Sequence, residues 1–365
     1  MNTKFMCGLF LIICLPLTAA GQEKLKIGKE TVIVPSPWNR VNVDTKASLR
    51  GLHVLSEIDI WASGSGGTII NSIDGGQTWR VKIVPGAEEL DFRDIHAVDD
   101  ATIVAITSGT PARIYRSVDG GSNWKLVYEN QDEKVFLDAL SFWDDQTGIV
   151  MGDPIDEDLF LLGTSDGGRT WENYKQTPRT LPGEAGFAAS GTNMITTGKQ
   201  RVFIGLGGAL PESSSRTSRI LISENGGKDW VAATVPMMRN PSAGIFSICF
   251  ANAKDGVAVG GDYKQPDGTR SNYAATHDGG KTWKTPRPRQ PPSGYRSCVA
   301  KWVDDRELNF ISVGPNGTDL STDLGESWTR ISNEGFNSIQ FTADGRFGWA
   351  VVAMAESQNG YRRID

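Results

Sequence analysis

An all-β fold is predicted from three observations: an octet that recurs six times, a pair of short extended segments around every copy, and a composition rich in turn residues and tryptophan. The first octet reads Ser72-Ile73-Asp74-Gly75-Gly76-Gln77-Thr78-Trp79, and its fellows end at Trp124, Trp171, Trp230, Trp283 and Trp328. Their third positions, Asp74, Asp119, Asp166, Asn225, Asp278 and Asp323, are 45, 47, 59, 53 and 45 residues apart, which is the spacing of one structural unit repeated. The chain of 365 residues holds 42 Gly and 11 Trp, and the octets account for much of that excess.

Each octet is readable as a turn. A Ser or Thr hydroxyl and an Asp or Asn oxygen can accept from the N–H groups of a tight bend, while the glycines supply positive φ. The short extended segments 67–70 and 80–83 flank the first copy and 112–115 precedes the second, so the octet joins two antiparallel strands and its Trp covers the end of the core. Repetition on separate units argues that these carboxylates hold turns and do not catalyse or bind calcium.

In order, residues 31–34 and 41–43 are short strands around Pro35-Ser36-Pro37-Trp38, and 49–55, 58–63 and 67–71 lead into the first octet. The same order of two strands, a third, an octet and a fourth returns from Phe92, Phe136, Phe187, Ile245 and Tyr295. A four-stranded unit of this size cannot bury both its faces alone, so the units must stack around an axis. Residues 336–341 and 348–353 repeat the first two strands of a unit and 361–364 can supply a third. The prediction is a seven-bladed β-propeller of four-stranded antiparallel blades, closed by an N-terminal strand around residues 31–47 that joins the C-terminal strands. Six blades with decorated termini is the alternative.

Residues 1–21 read as a signal peptide: Lys4 is followed by an apolar stretch from Phe5 to Leu17 and by small residues at 18–21. Residues 22–365 are then a single propeller domain, secreted or periplasmic, with no later apolar run long enough to cross a membrane. The 37 basic and 43 acidic residues, a net charge of -6, argue against nucleic acid as a partner. Cys249 and Cys298 lie at similar places in neighbouring units and form either a bridge or two buried thiols.

In such a ring the loops before the innermost strands and between the second and third strands gather on one face, opposite the octets. Residues 152–160, 205–219, 261–273 and 355–360 are long for hairpins and carry Asp153, Asp156, Glu212, Tyr263 and Glu356 to that rim. Arg50, Arg93 and Arg296 fall at matching inner-strand positions. They either converge on an axial pocket as an anion clamp or pair with loop carboxylates. His53 and His96 are also in register, and are either structural or, with Asp94 or Asp138 as a third ligand, the makings of a zinc site. These eight residues, Tyr263 included, are the ligand-binding candidates. No metal, nucleotide, flavin, haem or thiol motif calls for a cofactor, and no catalytic group is singled out.

The pattern Ser-x-Asp-x-Gly-x-x-Trp resembles the Asp-box, or bacterial neuraminidase repeat. The run from Ile60 to Trp79 resembles a blade of the photosystem II stability and assembly factor family, and the likeness spans roughly residues 45–355. It implies a noncatalytic propeller that recognises a protein through a basic surface. Sialidases share the repeat, but their Arg-Ile-Pro motif is unmatched, since the closest run is Phe92-Arg93-Asp94-Ile95. The expected function is therefore an exported binding or assembly propeller, able to stand as a monomer, that takes a protein or glycan on its loop-rich face. The alternative is a glycan-directed hydrolase or lyase.

Overall fold

The computed structural model describes residues 8–13, 22–27, 30–209, 216–287, 290–304 and 307–352. Six antiparallel sheets follow one another along the chain, each carrying one octet. The first pairs Leu49–Val54, Ile60–Gly64, Thr68–Ser72 and Arg80–Ile83 in sequence order. The second runs from Asp91–Ala97 to Lys125–Asn130, the third from Leu137–Phe142 to Glu172–Asn173, the fourth from Met194–Thr197 to Val231–Met238 and the sixth from Cys298–Asp304 to Thr329–Ser332. The fifth sheet has five strands: Glu184–Ala185 and Gly207–Gly208 extend its inner side, while its outer strand is reduced to the bridge Ala275↔Lys284.

The octets are the turns they were read to be. In the first, Gly76 N donates to Ser72 Oγ at 2.8 Å, and Asp74 Oδ1 accepts from Ser72 Oγ at 2.8 Å and Thr78 N at 2.9 Å. The Trp79 indole N–H closes the turn on Gly76 O at 3.2 Å. Gly76 has φ +82°, and a Cβ there would stand 2.1 Å from the Trp349 ring, so both backbone and packing require glycine. Asn225 reproduces the bonds with an amide, accepting from Ser223 Oγ at 3.0 Å and Asp229 N at 2.9 Å.

These bonds have a pH signature. Hydrogen bonds from the Thr78 hydroxyl and amide hold Asp74 at about 2, and the Asn123 amide does the same for Asp119, against an ordinary 3.8. A depressed carboxylate pKa contributes stability above the unfolded value that is lost as pH falls through the folded one. Stability is therefore expected to drop between about pH 4 and pH 2, with a shallower drop in the double variant Asp74→Asn, Asp119→Asn. Equal slopes in urea titrations of the two proteins would contradict this.

Between blades the core is continuous. Trp61 of the first blade packs with Phe92, Ile95 and Tyr115 of the second, and Phe203 of the fourth with Ile248 and Trp283 of the fifth. A fully buried side chain of this kind contributes about 2 kcal/mol, so each interface outweighs any single turn.

The predicted seven blades are corrected to six. Only six sheets are built from a repeat, because there are only six octets. The gap between the sixth and first blades is filled by a sheet of different make-up, ordered Ser338–Phe341, Gly348–Val351, Gly8–Ile13, Asn39–Val43. The N-terminal strand does not join the C-terminal strand directly, since Gly8–Ile13 pairs with both. Nor does all of 31–47 contribute: Glu30–Pro35 pairs with Gln22–Ile27 in a hairpin of its own. This seam sheet packs on the sixth blade through Phe336, Ile339 and Phe341 and on the first through Trp349, Val351 and Val43, which completes the ring. The predicted strand at 361–364 lies outside the described residues. Among the described residues no helix is long and apolar enough to cross a membrane.

Candidate functional site

The chain between the third and fourth blades, residues 180–193, forms a strap over the loop-rich face. Its start is pinned by Glu184, a buried carboxylate that accepts from Leu181 N at 2.7 Å and from Arg219 Nε at 2.8 Å. Buried Arg239 lies 3.8 Å from the same carboxylate and donates to Pro182 O and Ala209 O. The strap then crosses from blade to blade. Gly186 N donates to Asp153 Oδ1 of the third at 3.1 Å, and Ala188 O accepts from Arg93 of the second at 3.3 Å. Phe187 stacks on Phe246 of the fifth at 4.2 Å, and Ser190 Oγ donates to Ser297 O before the sixth at 2.9 Å. Contacts with four blades from the five residues 186–190 place the strap across the axis.

Beneath it lie three acids from neighbouring inner regions. Asp94 accepts from Leu140 N at 2.8 Å and Ile95 N at 2.9 Å, yet burial pushes its carboxyl up to about 7. Gly191, at φ +74°, passes so close that a Cβ would stand 2.3 Å from Asp94 Oδ2. Asp138 is 1% exposed, and burial followed by the charge of Asp153 raises it well above the carboxylate range, with Arg93 opposing. Asp153 itself is raised by burial to about 6. Among the described residues, Asp138 Oδ2 and both side-chain polar atoms of buried Asn193 have no hydrogen-bond partner. Ionisation of Asp153 opposes that of Asp138.

Of the three arginines, two come together. Arg93 donates to Ser108 Oγ at 3.0 Å, lies 3.3 Å from Asp91 and sits over the Phe136 ring at 6.0 Å. Its pKa is lowered by burial and then by the charge of Arg50. Arg50 is half-buried and, among the described residues, makes no hydrogen bond or ion pair. Arg296 is elsewhere and already satisfied: it is fully buried, with Nε 2.6 Å from Asp319 Oδ2 and further bonds to Asn316 Oδ1, Tyr295 O and Ser293 Oγ. Arg50 and Arg93 therefore remain the candidates, and Arg296 follows the structural-pairing reading.

His53 and His96 meet edge to face at 4.1 Å, and His96 stacks on Phe142 at 5.0 Å. Burial lowers His53 to about 4 and His96 well below its usual value, so both are neutral packing groups near pH 7. Among the described residues no three His, Cys, Asp or Glu side chains are placed to hold a metal. Tyr263 is 44% exposed and leans on Phe187 and Phe246, each 6.4 Å away, which puts an accessible ring at the edge of the strap. Cys249 and Cys298 are free thiols.

Sequence reasoning missed Phe187 and Asn193, which carry no motif and acquire a role only because the strap crosses the axis. His277, which reads in the sequence as a substitution in an octet turn without special chemistry, has its ring nitrogens 2.8 Å from Asp255 and 2.8 Å from Glu326, two carboxylates of the octet face that raise its pKa.

The family model described as "Photosynthesis system II assembly factor YCF48" matches residues 30–131. The chain is an Asp-box propeller related to that family. Among solved structures, "YCF48 bound to D1 peptide" is similar over 87% of this chain and 97% of its own, at 15% identity and a TM-score of 0.58. YCF48 from Cyanidioschyzon merolae is similar over 85% and 95%, at 17% identity and a TM-score of 0.52. No curated protein sequence matches the chain. At these identities the likeness of this Asp-box propeller to the solved structures is one of fold.

Proposed function

We propose that the protein is a noncatalytic binding propeller that docks a segment of another protein on the strapped face. Arg50 carries the reading: a half-buried guanidinium with no carboxylate partner among the described residues, beside a second arginine, is a receptor for an anionic group supplied from outside. Arg93 orients the strap through Ala188, and the adjacent Phe187 backs Tyr263, so charge and an aromatic platform lie along one path. The solved relative that holds a D1 peptide supports a peptide as the class of ligand. The acids of this face are covered by the strap, which favours binding over glycan cleavage.

The kinship with the YCF48 family supports an exported protein, and the apolar run from Phe5 to Leu17 supports residues 1–21 as its leader. Short peptides ending in a free carboxylate, and the same peptides ending in an amide, test the site by fluorescence anisotropy. Carboxylate peptides are expected to bind and to lose about tenfold or more in affinity with Arg50→Ala, less so at high salt. Equal binding of both peptide sets, or binding indifferent to Arg50, would count against the clamp. Turnover of a glycan that is lost in Asp138→Asn would replace the binding reading with the hydrolytic one.

A further inference from the structure

Around the octet face, a side chain of one blade donates to the octet of the next. Lys82 of the first blade reaches Gly121 O of the second at 2.9 Å, and Arg116 of the second reaches Gly167 O of the third at 2.7 Å. Tyr174 of the third reaches Gly226 O of the fourth at 3.1 Å, and Arg201 of the fourth reaches Gly279 O of the fifth at 2.8 Å. Between the fifth blade and the sixth the donor is a histidine and the acceptor a carboxylate. His277 Nε2 lies 2.8 Å from Glu326 Oε1 of the sixth octet, while its Nδ1 lies 2.8 Å from Asp255 Oδ1, in the first turn of its own blade. A neutral imidazole carries one N–H, so serving two carboxylates at once requires the imidazolium.

We propose that the fifth and sixth blades are joined by a proton-operated link, closed by imidazolium His277 and opened at Glu326 when the ring becomes neutral. Glu326 is the partner that leaves. Asp255 keeps the one remaining N–H because Asn252 Nδ2 holds it in place at 2.8 Å, and its side chain is 21% exposed against 47% for Glu326. The charged groups around the ring are Asp255 and Lys254 of the hairpin turn, Asp278 of its own octet, Glu326 of the next, and Lys284 and Arg287 of the segment that follows the fifth octet. A cavity of about 610 Å³ is lined by His277, Glu326, Lys284 and Arg287, so a released Glu326 has two cations to turn to. Hydrogen bonds to Asp255 and then to Glu326 raise His277 above its ordinary 6.5. A raised histidine contributes stability that is fully present below the unfolded value and is lost as pH rises through the folded one, so the link closes in acid and opens in base. Of the five junction donors the histidine is the one whose residue type titrates near neutral pH. The link lies on the octet face, opposite Arg50 and the strap, so it stands whether or not a peptide binds there.

Histidine NMR and amide hydrogen exchange test the link on the whole chain. There are three histidines, and burial holds His53 and His96 neutral near pH 7, so the resonance that titrates highest belongs to His277. Its midpoint is expected above 6.5 and is expected to move down in Glu326→Gln. From pH 5.5 to pH 8.5 the protection factors of residues 276–283 and 322–328 are expected to fall roughly threefold relative to those around Gly167, the scale of an exposed ion pair. In His277→Gln that ratio is expected to stay constant. A midpoint at or below 6.5, or one indifferent to Glu326→Gln, would mean that His277 and Glu326 do not meet in solution. A ratio equal at both pH values in the parent would mean that the proton works no link, and a change that survives His277→Gln would assign it to another group. Each of these results overturns the proposal.

Discussion

Replacing Arg296 with leucine is expected to destabilise the fold by about 3–5 kcal/mol, the usual cost of leaving one member of a buried ion pair without the other. Arg296 is completely buried, and its guanidinium ties together Asp319, Ser293, Asn316 and the Tyr295 carbonyl, so truncation strands Asp319, itself fully buried, and loosens the entry to the sixth blade. Arg50→Ala, by contrast, removes no ion pair and is expected to change stability by less than ~1 kcal/mol while weakening the binding of a carboxylate. Urea unfolding of both variants separates the roles. A loss below ~1 kcal/mol for Arg296→Leu would show that the cluster is not structural and would return that arginine to the ligand candidates.

The second large effect concerns the acids under the strap. A carboxyl raised from 3.8 to about 6, as in Asp153, contributes stability that is fully present below the unfolded value and is lost as pH rises through the folded one. The difference amounts to roughly 2–3 kcal/mol at neutral pH and above, spread over the Asp138 and Asp153 pair. Asp153→Asn keeps an oxygen for Gly186 N and abolishes the ionisation. The variant is therefore expected to equal the parent near pH 4 and to exceed it in stability by pH 8. Parallel stability curves from pH 4 to pH 8 would show that the strap rests on no titrating group. Combined with the turn carboxylates, whose contribution fails below about pH 4, this puts the stability maximum on the acid side of neutrality.

The fold was legible because its local chemistry is repeated. Six copies of a hydroxyl, a carboxylate or amide, two turn residues and a Trp specify the same hydrogen bonds whatever lies around them, and Asn225 showed that charge was dispensable. Even Leu324, where the other octets have glycine, holds φ +57°. The blade count was less legible. The seam has no octet, and its strands come from three distant parts of the chain, so no local pattern states which segment enters it. The site was half legible for a related reason. Register placed Arg50, Arg93 and Arg296 at equivalent repeat positions, but Asp319 on the third strand of the sixth blade captured the last of them. The strap was invisible because Phe187 was read as the start of an inner strand. Glycines at 186 and 191, set against carboxylates across the axis, instead let the backbone pass over it.

A hydrogen-exchange footprint of a bound carboxylate-ended peptide tests most directly whether this face receives the partner. The account predicts slower exchange along the strap at residues 186–192, around Arg50 and Arg93, and next to Tyr263, with the octet turns unchanged. A footprint on the octet face, near His277 and Glu326, with the strap unaffected would contradict it.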